Sequence, residues 1–209
     1  MVDPSPGQGR RLVVLRHGRT AWNAEGRAQG HEDIGLDDQG REQAERTAEV
    51  LAAYEPSVLV CSDLARARQT AALLEKATGL TAVEDPRLRE YDTGARTGLT
   101  AAEYAERAGT AYEPPDGHTL LDVPGAERVE EVAERIGPAL REAVDRLAPG
   151  ETGVVVTHGA AMRVGLTRLL DLPGEAYAAF GSIRNCGWVE VTERGGRLRL
   201  TAYDVVVPA

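Results

Sequence analysis

At 209 residues the chain is long enough to bury a substantial core, and no linker-like stretch divides it, so a single domain over 11–209 behind a mobile tail over 1–10 is expected. A net charge of −9 argues against nucleic acid or an anionic membrane surface as a partner, because either would need a basic stripe. There is no apolar run near the ~20 residues of a membrane span and no apolar core of a secretory signal in MVDPSPGQGRR, so a cytoplasmic protein is expected.

Leu12 to Leu15 form the first apolar run, which stops abruptly at Arg16, His17 and Gly18. A run apolar on both pleat faces suits a parallel strand covered by helices, and its carboxyl end is where open α/β sheets bind ligands. There a neutral imidazole offers a nitrogen nucleophile and the adjacent guanidinium neutralises an anionic target, a phosphate. The stretch from Gly18 to Asp38 is rich in Gly, Asn, Asp and His. It reads as a long loop without regular structure, which in a compact domain is usually functional. Asp37 or Asp38 then caps a helix to about Tyr54, with Ala44, Ala48, Leu51 and Ala52 as its apolar stripe.

The strand SVLVC leads to the helix LARARQTAALLEKATG, capped by Ser62 or Asp63, lined inward by Leu64, Ala67, Ala71 and Leu74, and ended by Gly79. Arg66 falls in its first turn, where the helix dipole disfavours a cation unless an anion binds there. A third strand near Thr81 to Glu84 runs through Pro86 into RLREYDTGARTGLT. From Leu99 to about Pro124 the text is irregular, a short helix and a cap; His118, within it, and His31 read as surface histidines. Val129, Val132, Ile136, Leu140, Val144 and Leu147 then mark a helix within Gly125 to Leu147, with a kink or break expected at Gly137-Pro138.

Val154 to Val156 repeat the first strand's design and end at His158 and Gly159, before a helix from about Ala160 to Leu170. Amides opening that helix, at Gly159 and Ala160, can point at an anion beside His158. The chain closes with an antiparallel hairpin at the sheet edge, GWVEVTE against LRLTAYDV across Gly195-Gly196. Cys61 and Cys186, the only cysteines, lack metal-ligand spacing and read as small buried thiols.

RHG, then SDLARARQT, then a Glu after the third strand, then THG, in this order, resemble the histidine phosphatase superfamily, the phosphoglycerate mutase-like proteins, from about Arg11 to Val191. The resemblance implies a three-layer αβα sandwich with a mostly parallel central sheet and an antiparallel edge. It implies a phosphate wrapped by TAWNAEGRAQGHEDIGL with contacts from Thr20, Asn23, Gln29 and Gly30, and a proton-donating Glu90. His17, oriented by a backbone carbonyl, would attack phosphorus, while Arg16, Arg66 and His158 hold the charge of the transferring group. Glu90 would protonate the leaving alkoxide and later take a proton from water. No metal and no cofactor is implied. The chain departs from the family where an aromatic-acidic-Gly sequence often follows the acid, having Arg96, Thr97 and Gly98 instead.

The expected activity is therefore a phosphomonoesterase acting on a small soluble ester, as a monomer or homodimer. Phosphoglycerate mutase-type transfer is the alternative; true mutases carry an additional insertion and an ERHYG-like stretch where this chain has EYDTGAR. Metal ligation by the two histidines, and a catalytically silent phosphate-binding module, are the other readings.

Overall fold

The computed structural model describes residues 9–109 and 123–208. In chain order its elements are β1 (Arg11–Arg16), α1 (Ala21–Glu25), α2 (Asp38–Ala52), β2 (Val58–Cys61), α3 (Ala65–Thr78), β3 (Val83–Glu84), α4 (Ala101–Ala108), α5 (Val129–Asp145), β4 (Thr152–Thr157), α6 (Gly159–Leu169), β5 (Trp188–Arg194) and β6 (Arg197–Val205). The strands form a six-stranded sheet in the order β3-β2-β4-β1-β5-β6. β3, β2, β4 and β1 run parallel, while β5 pairs antiparallel with β1 and β6 with β5.

The period of two along a strand distributes the two central runs between two cores. Leu12 and Val14 of β1, with Val155 of β4, cluster with Val132, Ile136 and Leu140 of α5 and Met162 and Leu166 of α6. Val13 and Leu15, with Val154 and Val156, cluster with Ala48 and Leu51 of α2 and Ala67, Ala71 and Leu74 of α3. Both strands are therefore apolar on both sides because helices cover both sides, and each fully buried Leu or Val contributes roughly 1.5–3 kcal/mol. The helices that follow the adjacent strands β1 and β4 lie on opposite faces, which opens a crevice at the carboxyl ends of these two strands. Their ends are level: Arg16 pairs with Thr157, and the His17 amide donates to the Thr157 carbonyl at 3.0 Å.

Several local expectations are revised. The loop after Gly18 is not wholly irregular, because Thr20 and Asn23 form a reciprocal capping box that starts α1, and Gly26 in the left-handed region ends it. The N-cap of α3 is Leu64, without a side-chain cap bond. The Ala65 amide is met by Asp33 Oδ1 from the preceding loop, while Asp63 is paired with Arg89. α5 starts at Val129 and continues through Pro138 to Asp145. Its burial of Ile136, Ala139 and Leu140 on both sides of the proline offsets the one lost amide, and Gly137 admits α6 so closely that a Cβ there would lie 2.8 Å from Arg168 Cβ. The start of the described chain is tied down, since Arg10 pairs with Glu193 and its carbonyl accepts from the Glu193 amide. Residues 1–8 and most of the expected cap, 110–122 with His118, lie outside the described residues.

Candidate active site

His17 and His158 leave adjacent strands side by side, with ring centroids 5.1 Å apart and planes tilted by 58°. Both are buried. His17 Nδ1 lies 2.7 Å from the Gly18 carbonyl oxygen, which can only accept, so Nδ1 carries the hydrogen and Nε2 bears the lone pair. Burial, then the charges of Arg66 and Arg16, hold the His17 pKa well below its usual 6.5, so the ring is neutral. The surrounding backbone is fastened from three sides. The Gly18 amide donates to Thr70 Oγ1 at 3.0 Å, and the His17 carbonyl accepts from Asn185 Nδ2 at 3.1 Å and from the Cys186 amide at 3.2 Å.

Arg66 is fully buried. Its Nη1 and Nη2 donate to the carbonyls of Glu32 and Gly30, each at 2.8 Å, and its Nε donates to His158 Nδ1 at 3.1 Å. An arginine can only donate, so His158 carries its hydrogen on Nε2 and gives it to Ser62 Oγ at 2.9 Å. His158 is likewise held neutral, by burial first and then by Arg66, His17 and Arg16. Arg16 donates through Nη1 to the Ile183 carbonyl at 2.6 Å, and its buried Nε has no partner. Burial pushes the pKa of both guanidiniums down, that of Arg66 to about 10, which leaves both protonated at neutral pH. Two cations beside two neutral imidazoles make a pocket that gains from an incoming dianion.

The Glu90 carboxylate sits at the amino end of α6, accepting from the amides of Ala160 at 3.1 Å and Ala161 at 2.8 Å. The amides of Gly159 and Ala160 were expected to face a free anion; here the Glu90 carboxylate takes that of Ala160 together with that of Ala161, satisfying orphan donors of the helix end. A cleft of about 170 Å³ joins Arg16, His17, Arg66 and Glu90 to Asn23, Gln29 and Gly30. Thr20, His158 and Gly159 do not line it: Thr20 caps α1, His158, expected to hold the phosphoryl charge directly, has both ring nitrogens engaged by Arg66 and Ser62, and Gly159 packs against the Arg16 side chain, where a Cβ would lie 3.3 Å from Nε.

His31 is not simply a surface histidine; its Nε2 is 2.8 Å from the Glu90 carbonyl. Arg27, Tyr91 and Thr93 line the same cleft and were not singled out from sequence, and Arg96, noted there only as a departure from the family pattern, lines it too. Ser62 could have been, since it ends an apolar strand within SDLARARQT. Asn185 carries no local signal, because only the antiparallel return of β5 brings it to His17. Both cysteines are buried and unpaired, and burial pushes each thiol up to about 12. Among the described residues, no group of three or more His, Cys, Asp or Glu side chains is disposed to hold a metal ion, and no helix is long and apolar enough to cross a membrane.

Known proteins resemble this chain in sequence and in fold. The chain is 39% identical over 189 residues to a glucosyl-3-phosphoglycerate phosphatase of Mycolicibacterium vanbaalenii, covering 87% of this chain and 84% of the relative. It is 34% identical over 180 residues to a probable phosphoglycerate mutase of Cronobacter sakazakii, covering 84% and 81%. Among solved structures, a mycobacterial glucosyl-3-phosphoglycerate phosphatase in complex with VO3 superposes with a TM-score of 0.83 at 35% identity, covering 93% of this chain and 98% of that one. The family model of the histidine phosphatase superfamily (branch 1) matches residues 12–205, so paired histidines, paired arginines and the carboxylate stand on a fold of known kind: the chain belongs to the histidine phosphatase superfamily.

Proposed function

We propose that this enzyme hydrolyses a small, soluble phosphate monoester through a phosphohistidine at His17. The observation that carries the reading is the state of that imidazole: neutral, hydrogen-bonded through Nδ1 to the Gly18 carbonyl, and lining a cleft between two guanidiniums. In the first step the Nε2 lone pair forms the N–P bond as the ester O–P bond breaks, and a protonated Glu90 gives its proton to the departing alkoxide. In the second, water attacks phosphorus, Glu90 takes its proton, and the N–P bond breaks to return the free imidazole. Arg16 and Arg66 hold the equatorial oxygens throughout, with bonds that strengthen as the group becomes planar.

Hydrolysis is preferred to transfer because EYDTGAR replaces the mutase-like ERHYG and because similar proteins carry phosphatase names. Those names put glucosyl-3-phosphoglycerate first among substrates to test. A reducing, cytoplasmic setting belongs to the same reading, supported by two buried cysteines that form no disulfide.

Rapid acid-free quenching with a ³²P-labelled ester tests the mechanism. The wild type accumulates an acid-labile, base-stable label and the His17→Ala variant neither labels nor turns over; undiminished turnover in that variant refutes it. Adding an alcohol acceptor separates the two outcomes for the intermediate, since a mutase returns label to the acceptor and a phosphatase returns it to water.

A further inference from the structure

A general acid works only when its proton meets the leaving oxygen, yet Glu90 lies on backbone that no strand or helix fixes. It sits between the turns Pro86–Leu88 and Gly94–Arg96. Its immobility has to come from elsewhere.

Arg135 of α5 supplies it. Nη1 donates to the carbonyls of Arg87 at 2.9 Å and Arg89 at 2.7 Å, and Nη2 donates to the carbonyl of Glu90 at 2.9 Å. The remaining donors close on the Glu127 carboxylate, Nε at 2.8 Å and Nη2 at 2.7 Å. All five guanidinium N–H groups are thereby used, which a lysine could not reproduce. Glu127 extends the grip, accepting from the Asp92 amide at 2.8 Å while its own amide donates to the Asp92 carbonyl at 3.0 Å. Burial pushes the Glu127 carboxyl up, but the bonds from Arg135 and the Asp92 amide outweigh it and hold the pKa below the usual range, so Glu127 is a carboxylate at neutral pH. Two further donors complete the set: Thr157 Oγ1 to the Leu88 carbonyl at 2.7 Å and His31 Nε2 to the Glu90 carbonyl at 2.8 Å. Every carbonyl from Arg87 to Glu90 is thus held by a group from another part of the chain, that of Leu88 by the residue just before His158.

We propose that Arg135, with Glu127 as its counter-ion and His31 as a second donor on the same carbonyl, is a positioning residue for Glu90. By fixing the peptide on either side of the Glu90 Cα, the clamp aims the carboxyl at the leaving-group oxygen, while the α6 amides hold its far end. The inference rests on the reading of Glu90 as the general acid. It also leaves the support of the acid independent of the groups that hold the phosphate, since none of the Arg135 hydrogen bonds goes to His17, Arg16 or Arg66.

That independence gives the test. An alkyl phosphate needs a proton on its leaving oxygen, whereas p-nitrophenyl phosphate expels a stable phenolate without one. The value kcat/KM, which reports steps up to formation of the phosphoenzyme, is measured on glycerol phosphate and p-nitrophenyl phosphate for the wild type, Arg135→Met, Arg135→Lys, Glu127→Gln and Glu90→Gln. Because general acid catalysis supplies about 10²–10⁴-fold, a misplaced acid is expected to lower the alkyl-to-aryl ratio about tenfold or more in Arg135→Met and less in Arg135→Lys and Glu127→Gln. Inhibition by inorganic phosphate stays within about twofold, and Arg135→Met adds no further change of ratio to Glu90→Gln. If Arg135→Met does not fold by circular dichroism, the other two clamp variants carry the test. Equal losses on both esters, or no loss, in the clamp variants while Glu90→Gln lowers the ratio would overturn the clamp and leave the acid standing. An unchanged ratio in Glu90→Gln would overturn the acid, and the clamp with it.

Discussion

Acid destabilises this protein through its buried imidazoles as well as its carboxylates. An imidazole in the unfolded chain takes a proton near pH 6.5, whereas burial and the neighbouring guanidiniums hold His17 and His158 well below that value in the folded state. Between those two pKa values the unfolded chain binds more protons than the native one. Stability is therefore full above about pH 7 and is lost as pH falls through 6.5 toward the folded-state values. For a histidine still neutral in the native protein, the loss between pH 7.5 and 5.5 is between about 1 and 1.5 kcal/mol, and roughly twice that for the pair. Urea unfolding in phosphate-free buffer at the two pH values measures it. His158→Gln, whose amide can still accept from Arg66 and donate to Ser62, is expected to lose about 1 kcal/mol less than the wild type over this interval. Identical pH dependence in the two proteins would refute the burial of a neutral His158. The same depression keeps the His17 nucleophile unprotonated at pH 6, so kcat/KM is expected to show no inflection near 6.5 attributable to that residue.

Gly40 of α2 packs on the backbone just beyond His17; an added Cβ would overlap the Arg19 carbonyl oxygen and lie 2.7 Å from its amide nitrogen. Gly40→Ala is expected to cost about 1–3 kcal/mol in a thermal or urea melt and to slow turnover, and a variant as stable and active as the wild type contradicts the packing. Inorganic phosphate is expected to stabilise the wild type by about 2.7 kcal/mol at a hundred times its Kd, and Arg66→Met to lose most of that shift in Tm; an equal shift would place the anion away from Arg66. A disulfide-exchange thiol reagent at pH 8 should label neither Cys61 nor Cys186 until denaturant is added, because both thiols are buried and pushed up to about 12, and fast labelling of the native protein would show otherwise.

Much of the scaffold is legible because its signals are local. Leu12 to Leu15 and Val154 to Val156 are short apolar runs that end in polar residues, and those ends bring His17 and His158 side by side. Gly79 stops α3 and Gly195-Gly196 turns the hairpin as their backbone freedom suggests. The misread places share a different cause. Asp33 meets the first amide of α3 from 32 residues upstream, so the local candidates Ser62 and Asp63 looked like caps and were not. Pro138 stays inside α5 because packing on both of its sides outweighs the single bond it removes. Arg135 lies off the apolar stripe of its helix, and nothing near it in sequence marks the carbonyls it holds.

By itself the sequence determined which side chains could do the chemistry and that strand ends would present them, because strand periodicity and abrupt polar stops are properties of a few adjacent residues. Only the tertiary structure decided that β4 lies beside β1, which nitrogen of each imidazole bears a hydrogen, and which groups hold Glu90 in place. Those outcomes depend on burial and on hydrogen-bond partners drawn from distant parts of the chain. A tautomer or a displaced pKa is a property of the assembled pocket, not of the residue that carries it.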